Sequence, residues 1–193
     1  YHKILDDAIQ ELKETEFKEL FSVELAEKVK VLAQDCVIET DLEILIPDNY
    51  VGNISERVQL YATLDNLKDM EALSKFSESL KDRFGPIPGP VGQLINTVQL
   101  RWMGEALGFE KINLKNGKLK GYFITGKDDY FKSEVFGRIL AFVQSSPKRC
   151  RLKEAAGKPI LTIEGITSVD NALEILAPLA HHTFKPARET VSA

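Results

Sequence analysis

Gly121-Tyr-Phe-Ile-Thr-Gly126-Lys127 fits the spacing G-x-x-x-x-G-K, in which loop amides cradle phosphates and the lysine reaches the terminal ones. The next residue is Asp128, where that chemistry needs a hydroxyl for magnesium, and a carboxylate there repels phosphate. The centre of the match, Tyr122–Ile124, has the apolar pattern of a strand and not of a loop with exposed amides. Glu39, Asp41 and Glu43 alternate, so on a strand three carboxylates share one face, as a hard cation or an acid–base pair requires. No histidine or second carboxylate group converges on them by spacing, which leaves a hydrated face or one that meets a basic partner. His181 and His182 are adjacent and on a helix point about 100° apart, so they cannot ligate one metal as residues four apart do. Neither Cys36 nor Cys150 has a neighbour that would activate a thiolate, and no G-x-S-x-G elbow exists. No active site is visible, and no catalytic residue, metal or cofactor is expected in this chain.

The composition sets the frame for these residues. With 193 residues, 44% of them hydrophobic, the chain can bury one substantial core, or a core with an appendage. No apolar run approaches the ~20 residues of a membrane span, and no basic, apolar signal segment opens the sequence. A cytoplasmic protein with two reduced, buried thiols is expected. The chain opens at Tyr1 within a helical pattern, as a piece of a longer polypeptide would. Its net charge of −4 conceals a gradient: residues 1–50 hold five Lys/Arg against thirteen Asp/Glu, and residues 101–193 hold fifteen against ten. An acidic chain is a poor non-specific DNA binder, because affinity for the phosphate backbone needs concentrated positive charge. The basic half can still touch nucleic acid or an acidic protein surface if its lysines share a face. Lys111, Lys115, Lys118, Lys120 and Lys127 are the candidates, and Lys118 and Lys120 share a strand face opposite Leu119.

Periodicity divides the chain into an α+β arrangement. Residues 1–34 read as a helical connector: Ile4, Leu5, Ala8, Ile9 and Leu12 form one stripe that must pack on something else. Val37–Pro47 alternates as a strand with one wet face. A helical subregion follows. Asn53 with Glu56 marks one helix start, with Ile54, Val58, Tyr61 and Leu64 inward; a second helix runs over about residues 69–84; and Pro90 opens a third that reaches Gly108. The remainder reads ββαββα, a small antiparallel sheet with helices packed on one side. Asn116-Gly117 turns the first hairpin, Val135–Val143 forms a helix, and Arg149–Lys153 pairs with Ile160–Glu164 around Gly157. Thr167 with Asp170 caps the last helix, residues 35–184 form the domain, and residues 185–193 make a loose tail.

Leu80–Pro90, L-K-D-R-F-G-P-I-P-G-P, ends the second helix in a rigid corner. Met70, Leu73, Phe76 and Leu80 line one face, Gly85 suits a left-handed C′ position, and three prolines prevent the helix from resuming. Asp82 and Arg83 stand on the shoulder of that corner. A guanidinium held there can meet a carboxylate bidentately at little entropic cost.

Asp48-Asn-Tyr-Val, Asn53-Ile-Ser-Glu-Arg57 with Tyr61, and Asp82-Arg83-Phe84-Gly85 with Pro88 together resemble the C-terminal domain of the bacterial transcription-repair coupling factor (Mfd). Tyr1–Leu12 is similar to the end of that family's translocase module. The resemblance implies a full-length ATP-driven translocase on duplex DNA that displaces stalled RNA polymerase, with its ATP and magnesium motifs upstream of this chain. It implies that this domain is a regulatory clamp, without catalysis, docked on the UvrB-like N-terminal module and covering the surface that binds UvrA. The docking contacts carried over are Arg83 and a carboxylate one turn before it. Position 79 is Ser79, so Glu78 or Asp82 would supply the charge. Contact with nucleic acid through the basic hairpins is the alternative.

Overall fold

Two tight turns build the sheet. Asn116 and Gly117 adopt φ of 54° and 68°, and Ala156 and Gly157 adopt 52° and 75°, the paired positive angles of a two-residue hairpin. The computed structural model of the chain describes residues 36–125 and 128–180. The connector over 1–34, the tail over 185–193, His181, His182, Gly126 and Lys127 lie outside these residues. Those described divide into two compact units, one of 43–98 and one of 36–42 with 99–125 and 128–180.

The second unit carries a five-stranded sheet in the order β1-β2-β3-β5-β4, formed by β1 (Val37–Thr40), β2 (Phe109–Lys115), β3 (Lys118–Phe123), β4 (Cys150–Ala155) and β5 (Lys158–Glu164). Both expected hairpins are present, but the sheet is mixed and not purely antiparallel, because β1 joins β2 in parallel. The leading strand therefore belongs with the hairpins, apart from the helices that follow it in sequence. It is also shorter than its pattern implies. The Leu42 amide donates to the Thr40 hydroxyl at 3.0 Å, a local turn that ends the strand before Asp41. Glu39, Asp41 and Glu43 consequently share no strand face.

One sheet face is buried through Phe109, Ile112, Leu114, Leu119, Phe123, Leu161 and Ile163. Gly104 lies so close to this face that a Cβ there would meet Cys36 Sγ at 2.6 Å and Ile112 Cδ1 at 2.9 Å. A 3₁₀ turn over Asp128–Lys132 leads into helix Glu134–Ser145, capped by Ser133, and brings Tyr130, Phe131 and Phe136 around Phe123. The last helix, Val169–Leu176, is capped by Ser168, whose hydroxyl accepts from the Asn171 amide at 3.1 Å; the expected cap, Thr167, lies one residue too early. Cys36 and Cys150 are buried free thiols, and burial raises the Cys150 thiol while Arg149 partly offsets it. Gly121 sits inside β3 where a Cβ would strike the Phe109 ring at 2.6 Å, so this glycine makes room for an aromatic core and not for a phosphate.

The first unit contains α1 (Ile54–Asn66) and α2 (Met70–Phe84), and α3 (Gly89–Leu107) begins in it. Asn53 and Asp69 cap the first two helices, as side-chain oxygens do for orphan amides. No helix among the described residues is long and apolar enough to cross a membrane.

Candidate docking corner

Helix α2 buries Leu73, Phe76 and Leu80 and turns its opposite face outward. Glu78 and Asp82 are exposed on that face, and Ser79 and Arg83 are exposed on its flank, all within the last two turns of the helix. The helix stops at Gly85, whose φ of 85° few other residues tolerate and whose amide donates to the Lys81 carbonyl at 2.9 Å. Tyr50 fixes the stop from below. Its hydroxyl lies 3.0 Å from the Gly85 carbonyl and 3.3 Å from that of Leu80, and its ring packs 5.7 Å from Phe84. Burial raises the Tyr50 phenol, which keeps it a donor.

The segment holding Tyr50 is itself held. The Arg57 guanidinium donates to the Val51 carbonyl at 2.8 Å, and the buried Tyr61 hydroxyl accepts from the Ile46 amide at 2.8 Å. These bonds tie the chain before α1 to α1, and through Tyr50 to the end of α2.

Arg83 lies over the Phe84 ring, 4.8 Å from its centroid, and its Nη2 is paired with the Glu56 carboxylate. Neither Glu78 nor Asp82 reaches Arg83 among the described residues. The carboxylate that Arg83 meets within the domain is Glu56 of α1, 27 positions away. Sequence reasoning used Glu56 only as part of a helix start, and no local spacing could have linked it to Arg83. The Arg83 side chain remains 49% exposed, so guanidinium donors stay open to a second acceptor.

The hairpin lysines are largely engaged. Lys111 and Lys115 lie 3.5 and 3.4 Å from Glu39, Lys118 lies 3.4 Å from Glu164, and Lys158 lies 3.3 Å from Glu110. Burial pushes the Glu39 carboxyl up, but Lys111 and Lys115 outweigh it and hold that group below its ordinary value. Asp41 accepts from the Asn116 amide at 2.9 Å. No group of three or more His, Cys, Asp or Glu that could hold a metal occurs among the described residues.

A family comparison matches the stretch that contains this interlocked series: the TRCF domain model covers residues 40–133. The chain carries a TRCF domain. The transcription-repair-coupling factor of Rickettsia bellii (strain RML369-C) is 29% identical over 134 residues, 65% of this chain and 11% of that protein. The factor of Escherichia coli (strain K12) is 24% identical over 155 residues, 79% of this chain and 12% of that protein. The chain thus spans roughly a tenth of the curated relatives it matches. Its fold is similar to a crystal structure of the C-terminal domain of transcription-repair coupling factor, with a TM-score of 0.63 at 15% identity, covering 77% of this chain and 91% of that one. The TRCF domain includes Tyr50, Arg57, Tyr61, Arg83 and Phe84.

Proposed function

We infer that this chain is the non-catalytic regulatory and interaction domain of a transcription-repair coupling factor. It docks through the α2 corner on the UvrB-like N-terminal module of the same protein and masks the surface that binds UvrA. The observation that carries this reading is the corner itself. Glu78, Ser79, Asp82 and a half-exposed Arg83 stand on a helix end that Tyr50 and Gly85 hold fixed. A guanidinium already oriented by Glu56 and Phe84 loses little freedom on meeting a partner carboxylate, which makes such a contact efficient. In this reading ATP turnover with magnesium, duplex DNA translocation and the encounter with RNA polymerase belong to the rest of a cytoplasmic full-length protein. The alternative, nucleic-acid contact by the hairpins, is weakened by the carboxylates that engage Lys111, Lys115, Lys118 and Lys158.

The test titrates the UvrB-like module against the 193-residue chain. Arg83→Glu should weaken association at least about tenfold, as loss or reversal of a charge pair at an interface does. Unchanged association would remove the corner from the interface.

A further inference from the structure

The sheet's outer face is set by register. Lys120 opposes Thr162, and Thr162 opposes Arg151; on the next outward rung Tyr122 opposes Ile160, and Ile160 opposes Lys153. Between these rungs Gly121, Leu161 and Leu152 point the other way, as alternation demands. Lys120, Arg151 and Lys153 are exposed, and none has an ion-pair partner among the described residues. They border the half-buried Ile160 and Tyr122, and on the far side Lys111, paired with Glu39, lies over the Tyr122 ring at 4.8 Å from its centroid. With strands about 4.8 Å apart, Lys120 and Arg151 lie on the order of 10 Å from each other.

From this juxtaposition we propose that the outer face at β3, β5 and β4 is a second docking surface, and that its occupant is a short acidic protein segment carrying an apolar side chain. Ile160 and Tyr122 offer that side chain a seat, and three cations beside them match carboxylates spaced along a peptide. The charge pattern sets a peptide apart from a nucleic acid. A phosphate backbone needs a continuous basic track, whereas the neighbouring lysines on this face are already neutralised by Glu39 and Glu164. The patch is small and bounded by carboxylates. Cations on an edge strand also deter strand-to-strand aggregation, so the test must separate a binding surface from a guarded edge.

The probe is a labelled glutamate-rich peptide with a central Leu-Phe pair, titrated against the 193-residue chain at ~50 mM salt, where few-charge attractions survive screening. The wild-type chain should bind it, and the combined variant Lys120→Glu, Arg151→Glu, Lys153→Glu should bind at least about tenfold more weakly. The corresponding triple Gln variant should lose several-fold, and it decides the matter if the Glu variant fails to fold. No peptide binding by the wild type, or equal binding by the Gln variant, would overturn the proposal and leave Arg151 and Lys153 as guards of the β4 edge. A labelled DNA duplex runs in parallel, and binding of it that disappears in the same variants would overturn the choice of a protein partner.

Discussion

Arg83→Glu should damage two things at once, and a charge swap separates them. Inside the domain Arg83 contributes an ion pair with Glu56 and a stack on Phe84. Both charged side chains keep contact with solvent, at 49% and 31% exposure, so the pair belongs to the ~0.2–1 kcal/mol range of solvent-screened bridges. The stack adds about 0.5–1 kcal/mol. A glutamate at 83 would face Glu56, and two like charges ~4 Å apart in water repel by about 1 kcal/mol. The single variant should therefore lose ~1.7–3 kcal/mol, a fall of roughly 3–12 °C in Tm for a chain of this size. Sequence reasoning alone, which sees only a surface arginine, expects a change within ~0.5 kcal/mol. Combining Arg83→Glu with Glu56→Arg restores an ion pair and should recover most of the lost stability. Docking on the UvrB-like module should stay lost, because the charge the corner presents remains reversed. Urea unfolding of the four proteins gives the stability cycle, and titration of the module gives the docking cycle. Additive stability effects within ~0.3 kcal/mol would refute the internal pair. Recovery of docking by the swap would refute a direct contact by the Arg83 guanidinium.

Other substitutions probe the frame around the corner. Gly121→Ala forces a methyl group into the Phe109 ring, and overpacking of this kind should cost ~1–3 kcal/mol in a thermal melt while ATP binding to the chain stays undetectable before and after. Tyr61→Phe strips the buried Ile46 amide of its acceptor and should cost about 1–3 kcal/mol in urea unfolding, with more than ~3 kcal/mol indicating a wider collapse. Glu39 titrates in the fold below its ordinary value of 4.5, so the stability it contributes is complete above that pH and is lost as pH falls through the lower folded value. The urea midpoint of Glu39→Gln should accordingly lie below wild type at neutral pH and converge with it in acid. A constant difference across that range would show that the charge of Glu39 is irrelevant.

Local chemistry made much of this fold legible. Asn116-Gly117 announces its hairpin because few other pairs accept two positive φ angles, and Asn53 and Gly85 mark helix ends by the bonds and backbone angles they permit. What sequence could not reveal is long-range. Nothing in Val37–Thr40 says that its partner is β2, some seventy residues later, or that the pairing runs parallel. Alternation also overstated the strand, because a hydroxyl two residues back can bend the chain as soon as Thr40 meets the Leu42 amide. At the last helix either Thr167 or Ser168 has the hydroxyl a cap needs, and only the backbone angle at Ser168 decides between them. The candidate site divides the same way. Its exposed face follows from the spacing of Leu73, Phe76 and Leu80, but the pairing of Arg83 with Glu56 required two helices to be placed.

That pairing alters what the motif series means. Tyr50 holds the carbonyls where α2 stops, Arg57 and Tyr61 hold the segment that carries Tyr50, and Phe84 packs on the ring of Tyr50. Most of D-N-Y, R-x-x-x-Y and R-F-G is thus occupied in keeping one helix end rigid. Glu78, Ser79 and Asp82 take part in none of these bonds and are exposed, which is why the proposed docking assigns them to the partner. Arg83 belongs to both groups, since one nitrogen is held by Glu56 while half of the side chain still faces solvent. In the proposed docking, a corner built this way meets its partner with geometry fixed in advance. The stiffness comes from buried and half-buried hydroxyl and guanidinium bonds, and in that docking Glu78, Ser79 and Asp82 can change without disturbing them. Ser79, where the resemblance implies a carboxylate, is a position of that kind: its side chain takes part in none of the bonds of the lock.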